Sequence, residues 1–89
     1  MKIHVSHILT EQQYELEDVM KKLEQGEIFE DLARKFSKCP SSARGGDLGE
    51  VEASRFVAPF AEAASTLKSQ EVSPIVKTQF GYHLIKRLN

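Results

Sequence analysis

The sequence predicts an α+β domain: a small, mostly antiparallel sheet with helices packed against it. Three observations carry this. Strand-like segments lie at both ends of the chain, Lys2–Leu9 and Gly81–Leu88. Two consecutive segments between them repeat apolar residues at helical spacing. The runs of strand and helix are not the regular alternation that a parallel doubly wound sheet requires.

Lys2–Leu9 contains β-branched Ile3 and Val5 and alternates in polarity, as a strand does. Ile3, Val5, His7 and Leu9 share one face; Ser6 and Ile8 point the other way. Thr10 with Gln13 matches a capping box that opens a helix. Leu16, Val19, Met20 and Leu23 form that helix's buried stripe, extended by Tyr14, and Gly26 stops it. Phe29, Leu32, Ala33 and Phe36 repeat the spacing in a second helix. Asp47–Val51 is a short strand, Glu52–Val57 is irregular, and Pro59 begins a third helix with Phe60, Ala63, Ala64 and Leu67 on its apolar side. Val72–Val76 starts a further strand, where Pro74 requires an edge or a bulge. Gly81 permits the turn into the last strand, which carries His83, Ile85 and Arg87 on one face. The predicted order is β-α-α-β-α-β-β.

Eighty-nine residues make one domain, 1–89, with a single core. The net charge is −1 and the basic residues are dispersed, which argues against nucleic acid as a partner. No run approaches the roughly 20 apolar residues of a membrane span. The N-terminal residues lack the apolar segment of a signal peptide, and one cysteine forms no internal disulfide. Both features lead to a cytoplasmic expectation. His4 and His7 face opposite sides of a strand and cannot share a metal, and a lone cysteine excludes a multi-cysteine zinc site. No metal or other cofactor is expected.

Between the second helix and the second strand lies Ser37–Gly49, SKCPSSARGGDLG, with the only cysteine and three of the five glycines. Its Ser, Pro, Gly and Asp content predicts an ordered loop with tight turns, of a length usually reserved for function. The polar candidates for chemistry are His7, Cys39, Thr78 and His83. A histidine among apolar neighbours is first of all a hydrogen-bonded core residue. A cysteine with two histidines suggests a thiol nucleophile, but no orienting Asn or Asp and no oxyanion signature accompanies them. R-G-G-D-L-G is not a nucleotide-binding glycine pattern.

V-S-H-I-L (Val5–Leu9), F-x-x-L-A-x-x-F-S (Phe29–Ser37), C-P-S-S-A-R-G-G-D-L-G (Cys39–Gly49), F-V-x-P-F (Phe56–Phe60) and T-Q-F-G-Y-H-x-I-K (Thr78–Lys86) occur in this order. Together they resemble the parvulin family of peptidyl-prolyl cis/trans isomerases, of the small, non-phospho-specific type, over essentially the whole chain. The resemblance implies a four-stranded antiparallel sheet wrapped by three to four helices, an FKBP-like superfold, with the site in a concave face. It implies that His7 and His83 pair on adjacent strands, that Cys39 stands at the family's Cys-or-Asp position, and that Thr78 joins the histidine network. It places Leu48, Phe56 and Phe60 around the substrate's proline ring. Phe56 departs from the family, where Met is more frequent, and should narrow the pocket or stack on the ring.

The implied function is rotation about X-Pro bonds without cofactor, assisting protein folding. The implied partners are proline-containing peptides and unfolded or partly folded proteins, met by a monomer with no nucleic acid and no membrane. Leu9-Thr10-Glu11 runs straight into the helix with no basic insertion, so no preference for phosphoserine- or phosphothreonine-proline is expected. Arg44 and Arg55, near the site by family analogy, would favour an acidic or neutral residue before proline. The alternative is a non-catalytic, chaperone-like module that holds extended Pro-containing segments.

Overall fold

The computed structural model describes all residues, Met1–Asn89. Four strands, β1 (Lys2–Thr10), β2 (Asp47–Glu52), β3 (Val76–Thr78) and β4 (Gly81–Arg87), form one antiparallel sheet in the order β2-β1-β4-β3. Three helices, α1 (Gln13–Glu24), α2 (Phe29–Phe36) and α3 (Ala58–Thr66), pack on it, and 3-10 turns lie at Pro40–Arg44 and Ala53–Arg55. The element order is the predicted one.

The strand at the N-terminus is central because both of its faces are apolar. Ile8 packs with Leu16, Val19, Phe29, Leu32, Ala33 and Leu84 under α1 and α2. Ile3 and Val5 pack with Phe60, Ala64 and Ile85 under α3. The expected single core is thus two clusters, one on each face of the sheet. A sheet covered on both sides cannot merge them, since its backbone lies between.

Three local expectations are corrected. Helix α1 is capped by Gln12, not Thr10: Gln12 donates its N–H to Glu15 Oε1 at 3.0 Å. Thr10 is claimed by pairing with Tyr82 in the sheet, and its hydroxyl donates to the Gln12 carbonyl. Tyr14 does not extend the buried stripe but is 69% exposed, because it lies about 200° around the helix from Leu16. Strand β3 begins at Val76, leaving Val72 as an isolated bridge to Lys86. Pro74 has no N–H for a ladder, and Ser73 substitutes for one: its N–H donates to the Ile85 carbonyl (2.8 Å) and its Oγ accepts from Ile85 N–H (3.0 Å).

Candidate active site

The α3 face of the sheet gathers three of the four polar candidates, His7, His83 and Thr78. Register places His7 opposite Ile85 and Leu9 opposite His83, so the two histidines sit one step apart on paired strands. Both are buried, and their Nδ1 atoms lie 3.1 Å apart with the rings near-parallel. Thr78, in the neighbouring strand β3, brings Oγ1 to 2.7 Å from His83 Nε2.

The hydrogen positions follow from partners. Phe80 donates its N–H to Thr78 Oγ1 at 3.1 Å. The Thr78 hydroxyl proton has no other acceptor than His83 Nε2, so the hydroxyl donates there. His83 then carries its proton on Nδ1 and donates to His7 Nδ1, which leaves the His7 proton on Nε2. That atom is buried and finds no partner within the chain. This assignment requires both rings to be neutral. Burial lowers the His7 pKa from 6.5 to about 4, assisted by repulsion from His83, and burial alone lowers the His83 pKa to about 4.

Cys39 is not bonded into this line; it sits in a loop anchored to β1. The loop Ser37–Gly46 is tied to β1 three times: Leu9 N–H donates to Ser37 Oγ (3.1 Å), Lys38 N–H to the Leu9 carbonyl (2.7 Å), and His7 N–H to the Gly46 carbonyl (3.0 Å). Gly46 has φ +86°, and a Cβ there would lie 2.4 Å from the His7 carbonyl oxygen, so only glycine lets the loop approach this closely. Cys39 caps the 3-10 turn, accepting Ser42 N–H at 2.9 Å, and is half-buried. Its thiol makes no hydrogen bond to either histidine.

The apolar wall comes from α3 and the segment before it. Phe60 meets both histidine rings edge-to-face, with centroids 5.6 and 5.3 Å away. Phe56 lies against Phe60 at 4.7 Å, and Leu48 packs on the same cluster; both remain half-exposed. This wall is apolar and adjoins neutral hydrogen-bonding groups. Chemically, such a wall can take a small apolar ring beside fixed dipoles. His4, on the other side of β1, instead pairs with Asp47 at 2.7 Å. Partial burial works against the Asp47 charge, but Gly49 N–H, His4 and Arg44 hold its carboxyl below the usual range.

Arg44 is turned onto the Asp47 carbonyl at 3.4 Å, and Arg55 is exposed on the second 3-10 turn. A separate groove of about 450 Å³, lined by Tyr14, Glu15, Glu17, Asp18, Lys21 and Phe36, contains none of the candidate residues.

One participant had escaped sequence reasoning. Phe80 acts through its backbone N–H, which has no side-chain signature; the only sign was a Thr two residues upstream in a tight hairpin. Apart from the histidine line, Ser41 is buried with Oγ unpartnered, in a stretch that reads as solvent-facing loop.

A four-stranded antiparallel sheet with a buried histidine pair defines the class, and comparison with known proteins agrees. Residues 7–89 match the Rotamase family, the PPIC-type PPIASE domain, and the chain belongs to this parvulin-type family. It is 48% identical over 87 residues to the foldase protein PrsA of Bacillus subtilis, covering 97% of this chain and 30% of that protein. It is 46% identical over 89 residues to a probable parvulin-type peptidyl-prolyl cis-trans isomerase of Bordetella bronchiseptica, covering 97% and 34%. The chain thus spans about a third of the length of these curated relatives. The solution structure of NmPin, the parvuline of Nitrosopumilus maritimus, superposes with a TM-score of 0.86 at 44% identity, covering 99% of this chain and 96% of that one.

Proposed function

We propose that this chain catalyses cis/trans isomerisation of X-Pro peptide bonds and thereby assists protein folding. The observation that carries this is the neutral Thr78–His83–His7 line set against the Phe60–Phe56 wall. The amide rotation barrier is about 18–20 kcal/mol, and X-Pro exchange takes tens to hundreds of seconds. No bond needs to break. The catalyst must favour the twisted peptide unit over both planar forms.

Leu48, Phe56 and Phe60 hold the proline ring as a fixed handle while the carbonyl side turns. Twisting removes resonance and makes the carbonyl ketone-like, and the preorganised dipoles of the polar line stabilise the altered charge distribution. Each tenfold in rate requires about 1.4 kcal/mol of such differential binding. In this reading the Cys39 thiol is the hydrogen-bond partner of the rotating carbonyl. The histidines position one another and keep that wall uncharged at neutral pH. The direct passage of β1 through Thr10 into α1, with exposed Glu11 at the junction, supports turnover of unphosphorylated X-Pro. The lone cysteine supports a cytoplasmic setting, and a monomer is consistent with both faces of the sheet being covered by the chain's own helices.

Exchange spectroscopy on a short Ala-Pro peptide tests the proposal. Catalytic amounts of protein are expected to broaden or exchange the cis and trans signals; unchanged signals contradict it. Cys39→Ala is expected to lower turnover about tenfold, a loss of about 1.4 kcal/mol of transition-state stabilisation, with peptide affinity little changed. Equal loss of turnover and affinity would favour a holding module.

A further inference from the structure

Between the start of α1 and the end of α2 lies the groove that the isomerase function leaves unused. At about 450 Å³ it falls within the usual size of a ligand site, about 300–1,000 Å³. Two of its walls are aromatic. Phe36 is half-buried and packs on the first core cluster, so the fold fixes it; Tyr14 is 69% exposed. Glu15, Glu17, Asp18 and Lys21 complete the lining, and three carboxylates thus meet one ammonium. Glu15 is accounted for by helix capping, since its Oε1 accepts Gln12 N–H. Glu17 and Asp18 are not. Both are exposed in the second turn, past the reach of the dipole at the helix start, and the ion pairs of the chain all lie elsewhere.

Aromatic faces beside unpaired carboxylates suit one side chain above others. A guanidinium is planar, lies flat on a ring and donates in parallel to carboxylate oxygens; a compact ammonium does neither as well. The groove also adjoins the histidine site along the chain. Phe36 precedes Cys39 by three residues, which bounds their Cα separation at about 11 Å. Lys38 N–H ties that segment to the Leu9 carbonyl at 2.7 Å. An extended polypeptide crosses such a gap in about four residues. We propose that the groove is a docking surface for a basic, arginine-bearing segment of an unfolded polypeptide, and that it holds a client chain whose X-Pro bond enters the neighbouring site. The second half of this rests on the isomerase function proposed above. Exposed Lys35 and Lys38 flank Phe36 in sequence and make an acidic segment the competing occupant.

The test follows 15N–1H shifts on titration with two proline-free peptides, Gly-Arg-Ala-Arg-Gly and Gly-Glu-Ala-Glu-Gly, both acetylated and amidated. The Arg peptide is expected to shift Tyr14, Asp18, Lys21 and Phe36 saturably, and the Glu peptide to leave them unmoved. Neutralising the rim with Glu17→Gln and Asp18→Asn together should weaken Arg binding about fivefold, and Lys21→Glu should tighten it about twofold. Tyr14→Ala should weaken it about threefold. All four positions are exposed, and Glu15, which caps α1, is left in place. No saturable shift, tighter binding of the Glu peptide, or an Arg affinity that ignores the neutralised rim overturns the docking surface. A second arm compares kcat/KM for Ala-Leu-Pro-Phe with the same peptide carrying the Arg segment at either end. One extension is expected to raise kcat/KM about tenfold through a lower KM, and the neutralised rim to remove the gain. No gain from either extension overturns the client assignment. If Ala-Leu-Pro-Phe itself is not turned over, the isomerase function fails separately, and the shift titrations still decide the groove.

Discussion

The two faces of the sheet do different work with similar material. Under α1 and α2 seven apolar residues from Ile8 to Leu84 form the buried cluster, sealed by two helices, and the buried polar groups on that face of β1 are the small hydroxyls of Ser6 and Thr10. Under α3 the cluster is smaller, and buried His7, His83 and Thr78 adjoin it, while Leu48 and Phe56 stay half-exposed. The closed face stabilises the strands that the open face uses. The open face tolerates His7, His83 and Thr78 because each has a hydrogen-bond partner, with only His7 Nε2 left over, and because both histidines stay neutral. A small domain can thus separate stability from chemistry by putting them on opposite sides of one sheet.

The sharpest way to break this comparison is to delete one large side chain from each face. Phe60→Ala should destabilise by about 3–5 kcal/mol, the usual cost of a buried Phe, and should abolish turnover even in the folded fraction, because both histidine rings lose their neighbour. Leu16→Ala should cost about 2–5 kcal/mol, yet leave turnover per folded molecule near wild type. Urea melts with parallel rate measurements check both; loss of turnover in folded Leu16→Ala would dissolve the division of labour.

Acid provides the next test. In the folded chain both histidines titrate at about 4, against 6.5 ordinarily. The unfolded chain therefore binds more protons in between, so stability is complete above pH 6.5 and falls as the pH drops toward 4. The urea midpoint should decline across that window, and His83→Phe should flatten the decline. A midpoint that is level from pH 7 to 4 would mean the histidines are not neutral in the fold.

A smaller effect is expected from Thr78→Val, which removes one acceptor and one donor from a buried line and should cost about 1–3 kcal/mol. It should also release the His83 tautomer, visible as a change in ring 15N shifts. Unchanged His83 shifts would show that Thr78 does not set the proton positions.

Much of this architecture was legible in the sequence because periodicity reports burial. The parity of Ile3, Val5 and His7 and the stripe through Leu16, Val19 and Leu23 translate directly into which face meets the core. Legibility failed where a tertiary partner outranked a local preference. Thr10 is a good helix cap by type, but Tyr82 across the sheet takes it into β1. Val72 looks like strand, but Pro74 removes the ladder and Ser73 stands in.

At the site, parity put His7 and His83 on inward faces, yet nothing local says that their strands are neighbours. That adjacency comes from the crossover order β2-β1-β4-β3. The motif resemblance named the same residues, while the Phe80 N–H and the buried Ser41 had no residue-type signal to find. Gly46 and Gly81 carried a visible signal whose meaning was hidden: each is glycine because β1 passes within a carbon's reach.

The division of the molecule into a supporting face and a working face is tested most directly by mapping 15N–1H shifts on titration with a short Ala-Leu-Pro-Phe peptide. Saturable changes are expected at Cys39, Leu48, Phe56, Phe60, Phe80 and His83, with the Tyr14–Lys21 side of α1 silent. Changes concentrated in the groove between Tyr14 and Phe36, with the α3 face undisturbed, would contradict the account.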